Sequence, residues 1–163
     1  MLADVRMRTI IFLGCTAAAL ALLLTACGGG NGSPAAAPGK LQVVAAENFW
    51  GSIASQLGGS KVSVRSIIVN PDTDPHDYQP TASDARTMAG AKLAIVNGIG
   101  YDNWASHLLA ANPDSGRTTL DAGDVLGLKE GDNPHQWYSP SSVQKVVAAI
   151  VADYKKLDPA DKA

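Results

Sequence analysis

Apolar and polar positions change period several times along this chain, and each change marks an element. Leu41-Gln42-Val43-Val44-Ala45-Ala46 is a short, nearly unbroken apolar run, which predicts a buried strand. Asn48 is placed to cap a helix over Phe49 to Leu57, and Gly58-Gly59 stops it. Lys61 to Val69 alternates through Val62, Val64 and Ile67-Ile68-Val69, giving a second strand. Thr81-Ala82-Ser83-Asp84 is close to a capping box and predicts a helix running to about Gly90. Lys92 to Asn97 reads as a third strand, Asp102 to Ala111 as a helix broken by Asn112-Pro113, and Thr118-Thr119-Leu120 as a short fourth strand. Ser139-Pro140 then opens a long helix, with Val143, Val146, Val147, Ile150, Val151 and Tyr154 spaced for one apolar face.

Strands alternating with helices imply βαβ units, so the expected fold class is α/β: a mostly parallel four-stranded sheet with helices on both faces. In such sheets ligands bind beyond the carboxyl ends of the strands, which directs attention to the loops that follow them. The chain has no internal repeats.

A different pattern precedes this region. Arg6 and Arg8 are followed by an uncharged apolar stretch from Thr9 to Leu24, about 16 residues, the layout of a secretory signal and shorter than a spanning helix needs. It ends in Leu24-Thr25-Ala26-Cys27, which resembles the lipobox of bacterial lipoproteins, in which the Cys thiol is lipidated and becomes the new N-terminus. Residues 1–26 are therefore read as a lipoprotein signal peptide and Cys27 as the lipid attachment point. The alternative is an ordinary signal with a chance cysteine. Residues 27–39, rich in Gly, Pro and Ala, read as a flexible tether. The chain has two cysteines, and Cys15 leaves with the signal, so no internal disulfide is available to the mature protein. The expected location is the outer face of a bacterial membrane, held by a lipid anchor.

Composition narrows the partners. With 13 basic residues scattered among 15 acidic ones and a net charge of −2, the chain offers no cluster to neutralise a phosphate backbone, and nucleic acid is excluded as a partner.

The candidate chemistry lies in two loops. One runs Asn70-Pro71-Asp72-Thr73-Asp74-Pro75-His76-Asp77-Tyr78-Gln79-Pro80 and the other Gly131-Asp132-Asn133-Pro134-His135-Gln136-Trp137-Tyr138-Ser139-Pro140. Each sets a His directly after a Pro, with an aromatic two residues later and another Pro beyond. Proline stiffens both loops and aims the imidazole before a ligand arrives. A neutral imidazole is the commonest transition-metal ligand, and its second nitrogen needs an acceptor that fixes tautomer and orientation. Asp72, Asp74, Asp77 and Asp132 are candidates for that role or for weak oxygen ligation. The alternative is two loop histidines with ordinary surface or capping duties. Tyr78 and Trp137 read as packing walls, and His107, in the third predicted helix, as a surface or packing residue.

These strings, together with Ala45-Ala46-Glu47-Asn48-Phe49-Trp50-Gly51-Ser52-Ile53-Ala54 and Val96-Asn97-Gly98-Ile99-Gly100-Tyr101-Asp102-Asn103-Trp104, resemble the N-terminal lobe of the zinc and manganese solute-binding lipoproteins of ABC importers. The resemblance covers residues 41 to about 158. It implies a non-enzymatic, monomeric receptor that captures a divalent cation as cargo, zinc before manganese, and delivers it to an ABC permease. It assigns His76 and His135 as metal ligands, residues 40–138 as the metal-binding lobe and residues 139–163 as the start of a long inter-lobe helix.

In that family a second lobe supplies the remaining ligands, typically a His or Glu and an Asp. This sequence ends where the linking helix would continue, so the expectation is a gene fragment or a short relative with an incomplete site that binds metal at micromolar affinity or weaker. The apolar side of the 139–156 helix, left exposed without that second lobe, is then expected to be the least stable part. Two other readings stay open. Two His with carboxylates can also serve an exported metal-dependent hydrolase, although His-Glu-x-x-His and Gly-x-Ser-x-Gly are absent and Gly98-Ile99-Gly100 lacks the third glycine of a dinucleotide loop. An adhesin-like surface lipoprotein is the other.

Overall fold

A computed structural model of the chain describes residues 39–159. The signal peptide, Cys27 and the tether up to residue 38 lie outside the described residues.

The elements follow in the order β1 (Leu41–Glu47), α1 (Asn48–Gly58), β2 (Val62–Ile68), α2 (Ala82–Ala89), β3 (Leu93–Val96), α3 (Asn103–Ala111), β4 (Thr118–Asp121), α4 (Ala122–Leu126) and α5 (Pro140–Leu157). The fold is α/β. Its four-stranded sheet has the order β2-β1-β3-β4, and every neighbouring pair is parallel. Successive residues of a strand point to opposite faces, so the apolar run of β1 feeds two cores at once. Val43 and Ala45 join Leu93, Ile95 and Leu120 beneath α1, α4 and α5. Val44 and Ala46 join Ala94 and Val96 beneath α2 and α3, with Met88, Trp104 and Leu109 closing that side.

Local signals set most of the helix ends. Thr81 and Asp84 form a full capping box on α2, each side chain bonded to the other's backbone N–H. Pro140 opens α5 at the position where a missing N–H costs nothing, with Ser139 as its N-cap. Asn48 is a correction: Glu47 holds the N-cap position of α1 without a side-chain bond, and the Asn48 amide reaches across to the Val69 carbonyl at 3.5 Å. Helix α4 is an addition, since five residues containing Gly123 carry no helical period. Asp121 accepts from the Asp124 N–H at 3.1 Å and Gly123 N–H donates to the Asn97 carbonyl at 3.0 Å, so tertiary bonds define it.

The apolar side of α5 also differs from expectation. It lies against the sheet rather than open to water: Val146 and Ile150 are fully buried, Val143, Tyr154 and Leu157 pack around them, and the Tyr154 hydroxyl donates to the Ala54 carbonyl at 2.9 Å. The sheet face beneath α1 and α4 supplies the partner that the sequence reading assigned to a second lobe.

A buried polar seam closes the carboxyl end of the sheet. Asn97 is 0% exposed and has every hydrogen-bonding group occupied. Its Oδ1 accepts from Trp50 Nε1 at 2.9 Å, and its Nδ2 donates to the carbonyls of Pro134 at 3.1 Å and Gly98 at 3.3 Å. Its own N–H and that of Gly98 donate to the two oxygens of Asp102, at 2.7 and 2.8 Å. The clamp holds Gly98, Ile99 and Gly100 at φ values of 69°, 60° and 79°. The left-handed region is strained for a β-branched residue, and Ile99 remains there because the bonds on either side fix it.

Glu47 faces Asp102 from the end of β1. It is 1% exposed, and neither carboxyl oxygen has a well-aligned hydrogen-bond partner. Burial first, then the charge of Asp102, pushes Glu47 well above the ordinary carboxyl range, and burial raises Asp102 to about 6.

Two outcomes follow for stability. Replacing Asn97 with Ala strands the buried Trp50 Nε1–H, while the Pro134 carbonyl keeps the Gln136 N–H at 2.8 Å, and is expected to cost about 2 kcal/mol in urea unfolding, set by the burial of the unpaired indole N–H. Glu47 and Asp102 both hold protons more tightly folded than unfolded. Their contribution is therefore complete below the ordinary carboxyl range and is lost as pH rises through about 6 and beyond. The isosteric Glu47→Gln has no proton to lose at that position. It is expected to raise stability at pH 7 by on the order of 1–2 kcal/mol and to flatten the decline between pH 4 and 7, with an unchanged slope excluding this account.

Candidate metal centre

The two Pro-His loops reach the carboxyl end of the sheet by different routes and arrive with the same local geometry. His76 lies in a 3₁₀ turn, Pro75–Asp77, after β2, and His135 lies between α4 and the turn Gln136–Tyr138. In the first loop Asp74 Oδ1 accepts from the His76 backbone N–H at 2.9 Å and is 2.9 Å from its ring Nδ1. In the second, Asn133 Oδ1 accepts from the His135 backbone N–H at 3.0 Å and is 3.0 Å from its Nδ1. Carboxylate and carboxamide oxygens only accept, so each Nδ1 carries the proton and each Nε2 presents its lone pair. The proline between Asx and His holds the chain bent, so that one oxygen meets both donors.

Tyr101 brings the two loops together. Its ring centroid is 4.8 Å from that of His76 and 5.6 Å from that of His135, edge to face in both cases. The imidazoles therefore stand no further apart than those two contacts laid end to end. The Tyr101 N–H donates to the Gly98 carbonyl at 2.9 Å, which ties the ring to the Asp102 clamp. Burial first, and then the charges of Glu47 and Asp74, raise the Tyr101 phenol, which stays a neutral hydroxyl at physiological pH.

Aromatic walls complete the surroundings. Trp137 stacks on Phe49 with centroids 3.9 Å apart and lies 5.2 Å from His135. Tyr78 belongs to the opposite core, packing on Trp104 at 4.8 Å and donating to Asp84 at 2.9 Å. Both aromatics are walls, as the sequence suggests.

The acidic candidates separate. Asp74 binds the His76 ring, and hydrogen bonds from that ring and then from the His76 backbone lower its carboxyl below the usual range. Asp132 accepts from the Lys129 backbone N–H at 3.0 Å, a turn contact rather than a bond to His135. Asp72 and Asp77 are exposed in the His76 loop, and His107 is exposed on α3. Among the described residues no group of three or more His, Cys, Asp or Glu is placed to hold a metal ion. The loops thus bring two imidazoles to one tyrosine ring, fewer donors than the three or four protein ligands of a strong zinc site.

Sequence reading missed three residues here. Asn133 stands to His135 as Asp74 stands to His76, and the shared Asx-Pro-His string was the available signal. Tyr101 and Asn97 stood in a string that carried the family resemblance, but nothing in it gave their roles, which depend on partners far away in the chain.

Comparison with known proteins gives this geometry a setting. The sequence model of the family described as zinc-uptake complex component A, periplasmic, matches residues 43–163. The manganese-binding lipoprotein MntA of Halalkalibacterium halodurans is 29% identical over 143 residues, 86% of this chain and 47% of that protein. The high-affinity zinc uptake system protein ZnuA of Bacillus subtilis is 27% identical over 165 residues, 89% of this chain and 51% of that protein. Among solved structures, the metal-dependent lipoprotein YcdH of Bacillus subtilis superposes with a TM-score of 0.68 at 29% identity, covering 76% of this chain and 47% of that one. The chain thus spans about half the length of the curated relatives it matches. A family match over most of the described residues, on an all-parallel lobe with the same architecture as YcdH, means that this chain belongs to the zinc-uptake component A family of periplasmic metal-binding proteins.

Proposed function

We propose that the protein is the extracytoplasmic metal-binding lipoprotein of an ABC importer, and that it captures a divalent transition metal as cargo and delivers it to a membrane permease. The observation that carries this reading is the pair of Asx-anchored imidazoles, His76 and His135, each with Nδ1 occupied and Nε2 left for a ligand, both packed edge to face on one tyrosine ring. Family membership and relatives named for manganese and zinc support it.

Imidazole nitrogen suits zinc, while manganese prefers oxygen-rich sites, so zinc is the first cargo to test. Water, or groups outside the described residues, fill the other coordination positions. Asp72 and Asp77 stand near enough in sequence to attract the cation without holding it. The lipobox-like Leu24-Thr25-Ala26-Cys27 supports a lipid anchor on the outer face of a bacterial cell membrane, and the proposed working state is a monomer. No observation on the described residues favours the hydrolase or the adhesin.

Calorimetric titration of the chain with zinc and with manganese is expected to give micromolar or weaker affinity, with zinc the tighter, and each of His76→Ala and His135→Ala is expected to weaken zinc at least tenfold. Nanomolar affinity would overturn the two-ligand account, and unchanged binding in the double variant would overturn the site. In bacteria expressing the full chain, radiolabelled palmitate is expected to enter the wild type and not Cys27→Ala; equal labelling would remove the anchor.

A further inference from the structure

The two halves of the histidine pair share their geometry and differ in charge. One side-chain oxygen in each loop meets the same two donors at the same distances, within 0.1 Å: Asp74 at 2.9 and 2.9 Å, Asn133 at 3.0 and 3.0 Å. Asp and Asn have the same shape, so what distinguishes the two imidazoles is a full negative charge behind one and a neutral amide behind the other. We propose that Asp74 and Asn133 act as positioning residues that make the pair unequal, with His76 the capturing ligand and His135 the ligand that releases first. This rests on the reading of His76 and His135 as metal ligands.

A carboxylate acceptor draws on the Nδ1 proton more strongly than a carboxamide does, and the imidazole passes that electron density to Nε2, where the metal binds. Changes in such outer partners typically alter metal affinity by about 10- to 100-fold. The acidic surroundings differ as well: Asp74 bonds the His76 ring and stands between Asp72 and Asp77 in sequence, whereas the acids of the other loop are engaged elsewhere, Asp132 by the Lys129 N–H and Glu130 packed against Gly100. A cargo protein gains from the inequality: a pair of equally strong donors holds the ion longest, while a strong donor beside a weak one lets the ion leave stepwise to an acceptor.

The inference separates from the assignment on which it rests. In the metal-free full chain, long-range proton–nitrogen spectra of the two imidazoles are expected to show the Nδ1–H tautomer for both, and to keep it in Asp74→Asn and Asn133→Asp, since both replacements retain the accepting oxygen. Zinc titration is then expected to move in opposite directions, with Asn133→Asp binding about tenfold tighter and Asp74→Asn about tenfold weaker, and chelator-triggered zinc release is expected to slow in Asn133→Asp. The opposite signs exclude a merely structural role, which would weaken both variants and disturb the tautomer. If zinc binds the wild type through both histidines but Asn133→Asp is no tighter, or both variants weaken alike, the inequality is overturned and the site stands. If the double His→Ala variant binds zinc as the wild type does, the site itself falls, and this inference with it.

Discussion

One asparagine, just past the end of β3, holds the carboxyl-end architecture together through its carboxamide and its own backbone groups. Asn97 joins α1 through Trp50, the His135 loop through the Pro134 carbonyl, α4 through Gly123, and the tight turn that carries Tyr101 through Asp102. A side chain that is both donor and acceptor is the only kind that can satisfy an indole N–H on one side and a carbonyl on the other. In a dry environment each of those bonds is worth more than at the surface, and each unmade bond costs more, so the seam has effectively one arrangement. The left-handed run Gly98-Ile99-Gly100 is the visible consequence. The turn is strained, and a Cβ at Gly98 would meet Asp121 Oδ1 at 2.1 Å, so glycine is required there by space as well as by φ.

Burial of acid beside this node sets two demands against each other. Asp102 is needed as an anion-like acceptor for two backbone N–H groups, while Glu47, packed against it without a well-formed bond, is stable only with its proton on. The pair can meet both conditions at once by keeping one charge between them, the usual solution when two carboxyls share a poorly solvated space. Packing on both faces of the sheet offsets the cost, through the Trp50 and Val146 side on one hand and the Met88 and Trp104 side on the other.

The parts of this structure visible in sequence are those governed by neighbours along the chain. Alternation gave the four strands within a residue or two, the Thr81 to Asp84 spacing gave a real capping box, and Ser139-Pro140 gave the start of α5. The Pro-His loops were visible because proline constrains its own neighbourhood. What could not be seen is what distance in the chain hides: that Tyr101 touches two histidines 59 residues apart in sequence, that Pro134 accepts from Asn97, and that α4 forms from only five residues because Asn97, just past β3, supplies an acceptor for its N–H. The apolar stripe of α5 was read correctly as a stripe. Its partner was misassigned, since periodicity shows which side of a helix must be covered and is silent about what covers it.

The arrangement also separates what is fixed before a cation arrives from what is not. Each ring has its Nδ1 bonded and its tautomer set, its proline-stiffened loop is tied back to the sheet or to its own Asx, and Tyr101 packs edge to face on both rings. Little side-chain entropy is then left to lose on binding, and for a site this rigid the usual cost of ordering ligands is largely met during folding. Affinity in such a site is limited by how many donors converge and how strong each one is, rather than by reorganisation. On the proposed reading of His76 and His135 as the metal ligands, the remaining variable is donor strength, and the proposal gives its control to the residue two positions before each histidine.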